Sequence, residues 1–179
     1  MKRLLIAALC VVAAACGPDK QAAAPAPEAL PTYASLRDSS CYTVDLFDPV
    51  TIKTPGPEVP AQYHGFLGEW GGGAWNGKWC HDLVIYEVRA NGEVELLSMH
   101  APNFDINHPP TVFKRKAVID INNTLRMAAG FDRMVYNLDR QFLVGKRTGR
   151  SGEYEIALTR KNGSPIPIAR PAATQLAEN

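Results

Sequence analysis

Between Phe66 and Arg160 apolar and polar residues alternate with a period of two, and turn residues cut the alternation into short lengths. Phe66–Trp75 reads as a first strand, interrupted by Gly71-Gly72-Gly73. Leu83–Val88 alternates, Ala90-Asn91-Gly92 supplies a hairpin turn, and Val94–Met99 returns. Val112–Ile121 sets Phe113, Arg115, Ala117, Ile119 and Ile121 on one face. Asn122-Asn123 turns the chain into Thr124–Ala128, and Gly130 breaks it. Arg133–Leu138, a turn at Asp139-Arg140 and Phe142–Lys146 follow. Glu153–Arg160 closes the series, with Tyr154, Ile156 and Leu158 on one face. No helical period competes over a useful length. This rhythm predicts an all-β fold, an antiparallel sandwich or barrel. Eight strands is the number at which an up-and-down sheet closes around its own side chains or a small ligand. The expected fold is therefore a small antiparallel up-and-down β-barrel. Phe113, Ile119, Met127, Met134, Tyr136, Ile156 and Leu158 are its expected filling.

The flanks lack this pattern. The barrel domain is expected over residues 63–162. Residues 33–62 carry Pro49, Pro55, Pro57 and Pro60, which forbid a long element, and read as a strap across the barrel. Within it, Cys41–Phe47 reads as one short strand. Residues 16–32 are rich in Pro and Ala and read as an extended tether. Residues 163–179 have no pattern and read as a loose tail.

At the start, Met1-Lys2-Arg3 precedes an apolar run from Leu4 to Ala15. A bilayer span needs about 20 apolar residues, so this shorter run reads as a secretory signal over residues 1–15. Ala13-x-Ala15 fits ordinary cleavage, which leaves a soluble protein. Ala13-Ala14-Ala15-Cys16 resembles the lipobox of bacterial lipoproteins, with Ala13 standing where Leu is usual. That resemblance implies lipid on Cys16, with more than one acyl chain and palmitate among them, and a membrane attachment. With Gly17 next, it implies the periplasmic face of the outer membrane. Cysteine parity favours it: Cys10 leaves with the signal, Cys41 and Cys80 can pair, and an unlipidated Cys16 would be an odd thiol. In an exported protein, a Cys41–Cys80 disulfide is the expected staple between strap and barrel.

Charge narrows the partners. The full chain carries a formal net charge of +1, which falls to −1 without Lys2 and Arg3. There is no basic excess for phosphates, so nucleic acid is not an expected partner.

Gly68-Glu69-Trp70 opens the first strand and Arg160 ends the last. This pairing resembles the calycin superfamily, the lipocalins and their relatives. The resemblance implies that Gly68, Trp70 and Arg160 form the barrel plug, with the guanidinium over the indole. Phe66–Trp75 and Cys80–Leu83 also resemble a domain of uncharacterised bacterial exported proteins, which implies no activity.

Candidate chemistry is sparse. Trp70, Trp75 and Trp79 form either an aromatic platform for a flat ligand or a plug and end caps. His64, His81, His100 and His108 lack zinc spacing, and His100 and His108 read as exposed loop residues among prolines. No metal or cofactor is expected. Ser98, His100 and Asp105 can be drawn as a triad, but no nucleophile elbow or oxyanion loop accompanies them. Glu93 and Glu95 read as a solvated pair. The expectation is a non-catalytic binding protein, with Trp75, Trp79, His81, His100 and His108 as ligand-binding candidates. Its alternative is an accessory lipoprotein with a solid barrel that binds another envelope protein. A cavity above ~300 Å³ with apolar walls and a few polar groups supports the first, whereas a barrel packed solid counts against it and leaves the second.

Overall fold

Eight antiparallel strands close on themselves in chain order: β1 Gly68–Trp75, β2 Trp79–Val88, β3 Glu93–His100, β4 Thr111–Ile119, β5 Thr124–Ala129, β6 Asp132–Asp139, β7 Phe142–Gly149 and β8 Gly152–Arg160. The barrel is closed, which decides between the eight-stranded barrel and the sandwich. This computed structural model describes residues 33–161, apart from 39, 45, 47, 48 and 104–106. The signal, Cys16, the tether, Asp105 and the tail lie outside the described residues.

One end of the barrel is a closed floor. The chain enters it through a short helix, α1 Ala61–His64, whose Tyr63 is buried with Val59 and Phe66. Trp70 Nε1 donates to the Phe66 carbonyl at 2.8 Å. The Arg160 guanidinium lies 4.3 Å from the Trp70 ring centroid and donates to the carbonyls of Gly65 and Leu67. A cation on an aromatic face is worth about 0.5–2 kcal/mol, and here the guanidinium also satisfies backbone oxygens left over by the turn. Above this floor Leu83, Leu96, Leu125, Leu143, Ile156 and Leu158 are fully buried and fill the bore.

The glycine run does not interrupt β1. The strand continues through a bulge between Trp70 and Gly73. A Cβ on Gly73 would lie 2.4 Å from the Ala157 carbonyl oxygen, so the glycine lets β1 approach β8. On β7, Gly145 makes room for a ring: a Cβ there would lie 2.5 Å from Tyr136 Cδ1.

Other boundaries move from the sequence expectation. The second strand begins at Trp79, not Leu83. Residues His81 to Ile85 are buried without a break, because the strap covers the outer face, and continuous burial hides a period of two. Ile121 falls outside β4 and is 91% exposed. The Asp120 carboxylate accepts from the backbone N–H groups of Asn122 and Thr124, which starts the turn before Ile121. In the strap, the expected strand at Cys41–Phe47 does not form among the described residues. The strap instead touches β1 and then follows β2 downward by single contacts. Asp38 N donates to Gly72 O, Thr43 Oγ1 donates to Asp82, and Lys53 N donates to Tyr86 O. Cys41 and Cys80 form a disulfide across a separation of 39 residues.

Two stability predictions follow from this packing. Replacing Cys41 and Cys80 together with Ser lengthens the loop of the unfolded chain and should cost about 3–4 kcal/mol in urea unfolding; an unchanged midpoint would show that the strap does not staple the barrel. Gly145→Ala overpacks the bore against Tyr136 and should cost about 1–3 kcal/mol in urea unfolding; an unchanged midpoint would show that the ring has room to yield.

Candidate functional site at the barrel mouth

The opposite end of the barrel is built differently. β1 ends there, β2 starts there, and the inward positions carry rings and charges. Cross-strand pairing aligns His81 with His100, His100 with Thr111, Met134 with Arg147, and Arg147 with Tyr154. Because inward residues alternate, these pairs converge on the bore.

The rings form a column that descends into the barrel. Arg147 lies 5.2 Å from the Trp79 ring centroid, and Trp79 stacks on His100 at 4.8 Å. His100 lies 4.4 Å from His81, and His81 lies 5.3 Å from Trp75. His108 packs edge-on against Trp79 at 5.2 Å. Trp79 is held at the rim by its Nε1, which donates to the Ala101 carbonyl at 2.7 Å. At the base, His81 Nε2 is 3.1 Å from Tyr136 Oη. The five ligand-binding candidates therefore share one end of the fold. Their access differs: Trp79 and His108 are half-buried, whereas Trp75, His81 and His100 are buried. This corrects the reading of His100 as an exposed loop residue; it ends β3 on the inward face.

Two clefts open at the mouth, of about 310 Å³ and 170 Å³. Trp75, Asn76, Lys78, Trp79, Asn103, Arg147, Ser151 and Tyr154 line the first. The second is lined by Trp79, His100, His108, Phe113, Arg115, Ala129, Asp132, Met134 and Arg147. They meet at Trp79 and Arg147. Phe113, expected as filling, instead stands at this rim and is 38% exposed. The bore itself is filled by its own side chains, as the accessory reading expects; the two clefts lie above it at the rim, and a larger open cleft of about 490 Å³ lies on the outer face of β6 and β7.

The electrostatics follow from burial. Burial is the main force holding His81 well below its usual range, and His100 adds to it. His100 is pushed down to about 3, first by burial and then by Arg147, His108 and Arg115. Burial pushes the Tyr136 phenol up. Both histidines are thus neutral at ordinary pH, and the phenol keeps its proton. Arg147 donates through Nε and Nη2 to Asp132 Oδ2. Arg115 lies 4.6 Å from the Phe113 ring centroid and has no carboxylate partner among the described residues. Several buried polar atoms here lack a hydrogen-bond partner among the described residues: Trp75 Nε1, His81 Nδ1, His100 Nδ1, Thr111 Oγ1 and Arg115 Nε.

The remaining candidates do not assemble into chemistry. Ser98 Oγ is 3.4 Å from His100 Nε2, but Ser98 is fully buried, and Asp105 is outside the described residues. Glu93 and Glu95 are both paired with Arg89 on the outer surface. Sequence reasoning missed Arg115, Tyr136, Arg147 and Tyr154 as site residues. One signal was available: Arg115 and Tyr154 already stood on apolar faces, and a charge on an apolar face is informative. Arg147 fell one residue past the expected end of its strand.

The fold and the mouth define a closed eight-stranded barrel with a packed bore and a cationic, aromatic rim. Comparison with family models, with curated proteins and with solved structures gives no significant match.

The neutral histidines make a prediction about acid. An unfolded chain protonates them near pH ~6.5, whereas the folded protein does not. Below that pH the unfolded state binds more protons, so stability falls as pH falls, by up to about 1.4 kcal/mol per unit for each histidine. For His100 the loss continues toward about pH 3. Urea midpoints at about pH 7.5, 6 and 5 should decline, and less steeply in His100→Gln. A flat profile would mean that the mouth already admits water to these rings.

Proposed function

We propose that this chain is an exported, lipid-anchored barrel of calycin type that binds a small ligand at its mouth and performs no chemistry on it. The observation that carries the reading is the cleft of about 310 Å³ between Trp75, Trp79, Tyr154 and Arg147. It combines aromatic walls with a few polar groups, the usual composition of a small-molecule site. The signal-like start and Cys16 support export and anchoring on the outer membrane's periplasmic face. The Cys41–Cys80 disulfide is consistent with an oxidising compartment. Gly68, Trp70 and Arg160 support the calycin likeness by their place at the floor.

A second reading has its own observation. Phe131, at the β5–β6 turn, is 71% exposed and carries Arg150 on its face at 3.6 Å. An exposed ring beside the mouth supports docking of another envelope protein.

Native mass spectrometry of the protein purified from its own host tests both. The ligand reading expects a retained small molecule that disappears in Trp79→Ala, on a mature chain beginning at acylated Cys16. A chain that carries no small molecule but holds a stoichiometric protein, released by Phe131→Ala, supports the second reading. A mature mass without acyl groups contradicts the anchor.

A further inference from the structure

We propose that the mouth recognises a flat anionic group, an aromatic or conjugated carboxylate or sulfonate; this rests on the mouth being a ligand site. The first argument is charge. Among the described residues lining the two clefts, Lys78, Arg115 and Arg147 are cationic and Asp132 alone is acidic. Asp132 is committed to Arg147 through one oxygen. Lys78 and Arg115 have no carboxylate partner among the described residues. Among the described residues, the lining of the two clefts therefore carries more positive charge than it neutralises. A guanidinium against aromatic walls, partly shielded from water, is a strong partner for a carboxylate or sulfonate.

The second argument is hydrogen-bonding capacity. The indole N–H of Trp75 and the Nε–H of Arg115 are donors only, both buried and without partners among the described residues. Trp75 and Arg115 line the two adjoining clefts. Both atoms are covered by their neighbours, so they reach a ligand only where the cleft wall yields; there an anion supplies acceptors without competing protons. A cationic ligand would meet unpaired like charge.

Shape decides the rest of the class. Trp79 and Tyr154 both face the Arg147 guanidinium, at 5.2 and 5.8 Å, and Trp79 separates the two clefts. Planar groups suit such walls. A long acyl chain does not, because Met134, Tyr136 and the leucines beneath them already fill the bore.

The test compares two probes of one shape, 2-naphthoate and its neutral amide 2-naphthamide, by titration calorimetry and tryptophan quenching on the disulfide-intact protein. Naphthoate should bind at least about tenfold tighter than the amide. Arg115→Gln should erase most of that difference. Lys78→Gln, at an exposed position where folding is not at stake, should reduce it as well. Equal affinity for the two probes overturns the anionic class and leaves the mouth standing as a site. Naphthoate binding that survives Arg115→Gln, Lys78→Gln and Trp79→Ala places the anion elsewhere and overturns the proposal. If neither probe binds, the proposal fails, and the retained-ligand measurement decides separately on the mouth as a site.

Discussion

Closure of the seam between β1 and β8 is the constraint on which the structure depends. This ladder is short: Trp70 pairs with Arg160 and Gly71 with Thr159. By contrast β7 and β8 pair from Phe142–Thr159 up to Gly149–Gly152. Side chains compensate at each level of the seam. At the floor Arg160 covers Trp70 and collects the carbonyls of Gly65 and Leu67. Above it Thr159 Oγ1 donates to Gly71 O, and the bare Gly73 lets the two backbones approach. Near the mouth Asn76 extends the pairing: its N–H donates to Glu155 O, and its Oδ1 accepts from Glu155 N–H at 2.8 Å. An open seam would leave two edges with unpaired backbone groups, so these contacts replace the missing ladder.

Closure also fixes the bore, and a fixed bore sorts residues by depth. An eight-stranded barrel is just wide enough for its own side chains. Leucines and isoleucines occupy the closed part, where any unpaired polar atom would be costly. Polar inward residues stand toward the open end, or at the floor where Arg160 finds the carbonyls of Gly65 and Leu67. The chain obeys this rule along single strands. β1 runs from Trp70 in the floor to Trp75 in the mouth, and β7 from Leu143 to Arg147. This gradient is what makes the two ends of the barrel chemically different.

The strand pattern was readable because most strands have one wet face, and alternation survives wherever that holds. It failed at β2, where the strap dries the outer face and Asp82 is buried beneath Thr43 and Lys161. It failed at Ile121 because a turn gripped by an aspartate outweighs an apolar residue in phase. The mouth was half readable. Trp75, Trp79, His81, His100 and His108 stand out as rare residue types near loops. Arg115 and Arg147 do not, because only cross-strand register shows that they enter the same space. Tyr136 looks like any filling residue until the register sets it beneath His81.

The kind of charge at the mouth bears on what the site is suited to do. Proton transfer needs a group that gains and loses a proton near the working pH. His81 and His100 are held neutral by burial, Tyr136 keeps its phenolic proton, and Ser98 is sealed beneath His100. The rim instead carries the guanidinium groups of Arg115 and Arg147 and the ammonium of Lys78, with Asp132 paired to Arg147 and His108 beside them, and a guanidinium does not titrate in proteins. A permanent cation beside neutral rings can hold an anion at any physiological pH, but it cannot act as a base. The same burial that makes the stack costly to protonate thus divides this end of the barrel into a sealed neutral column and a charged rim.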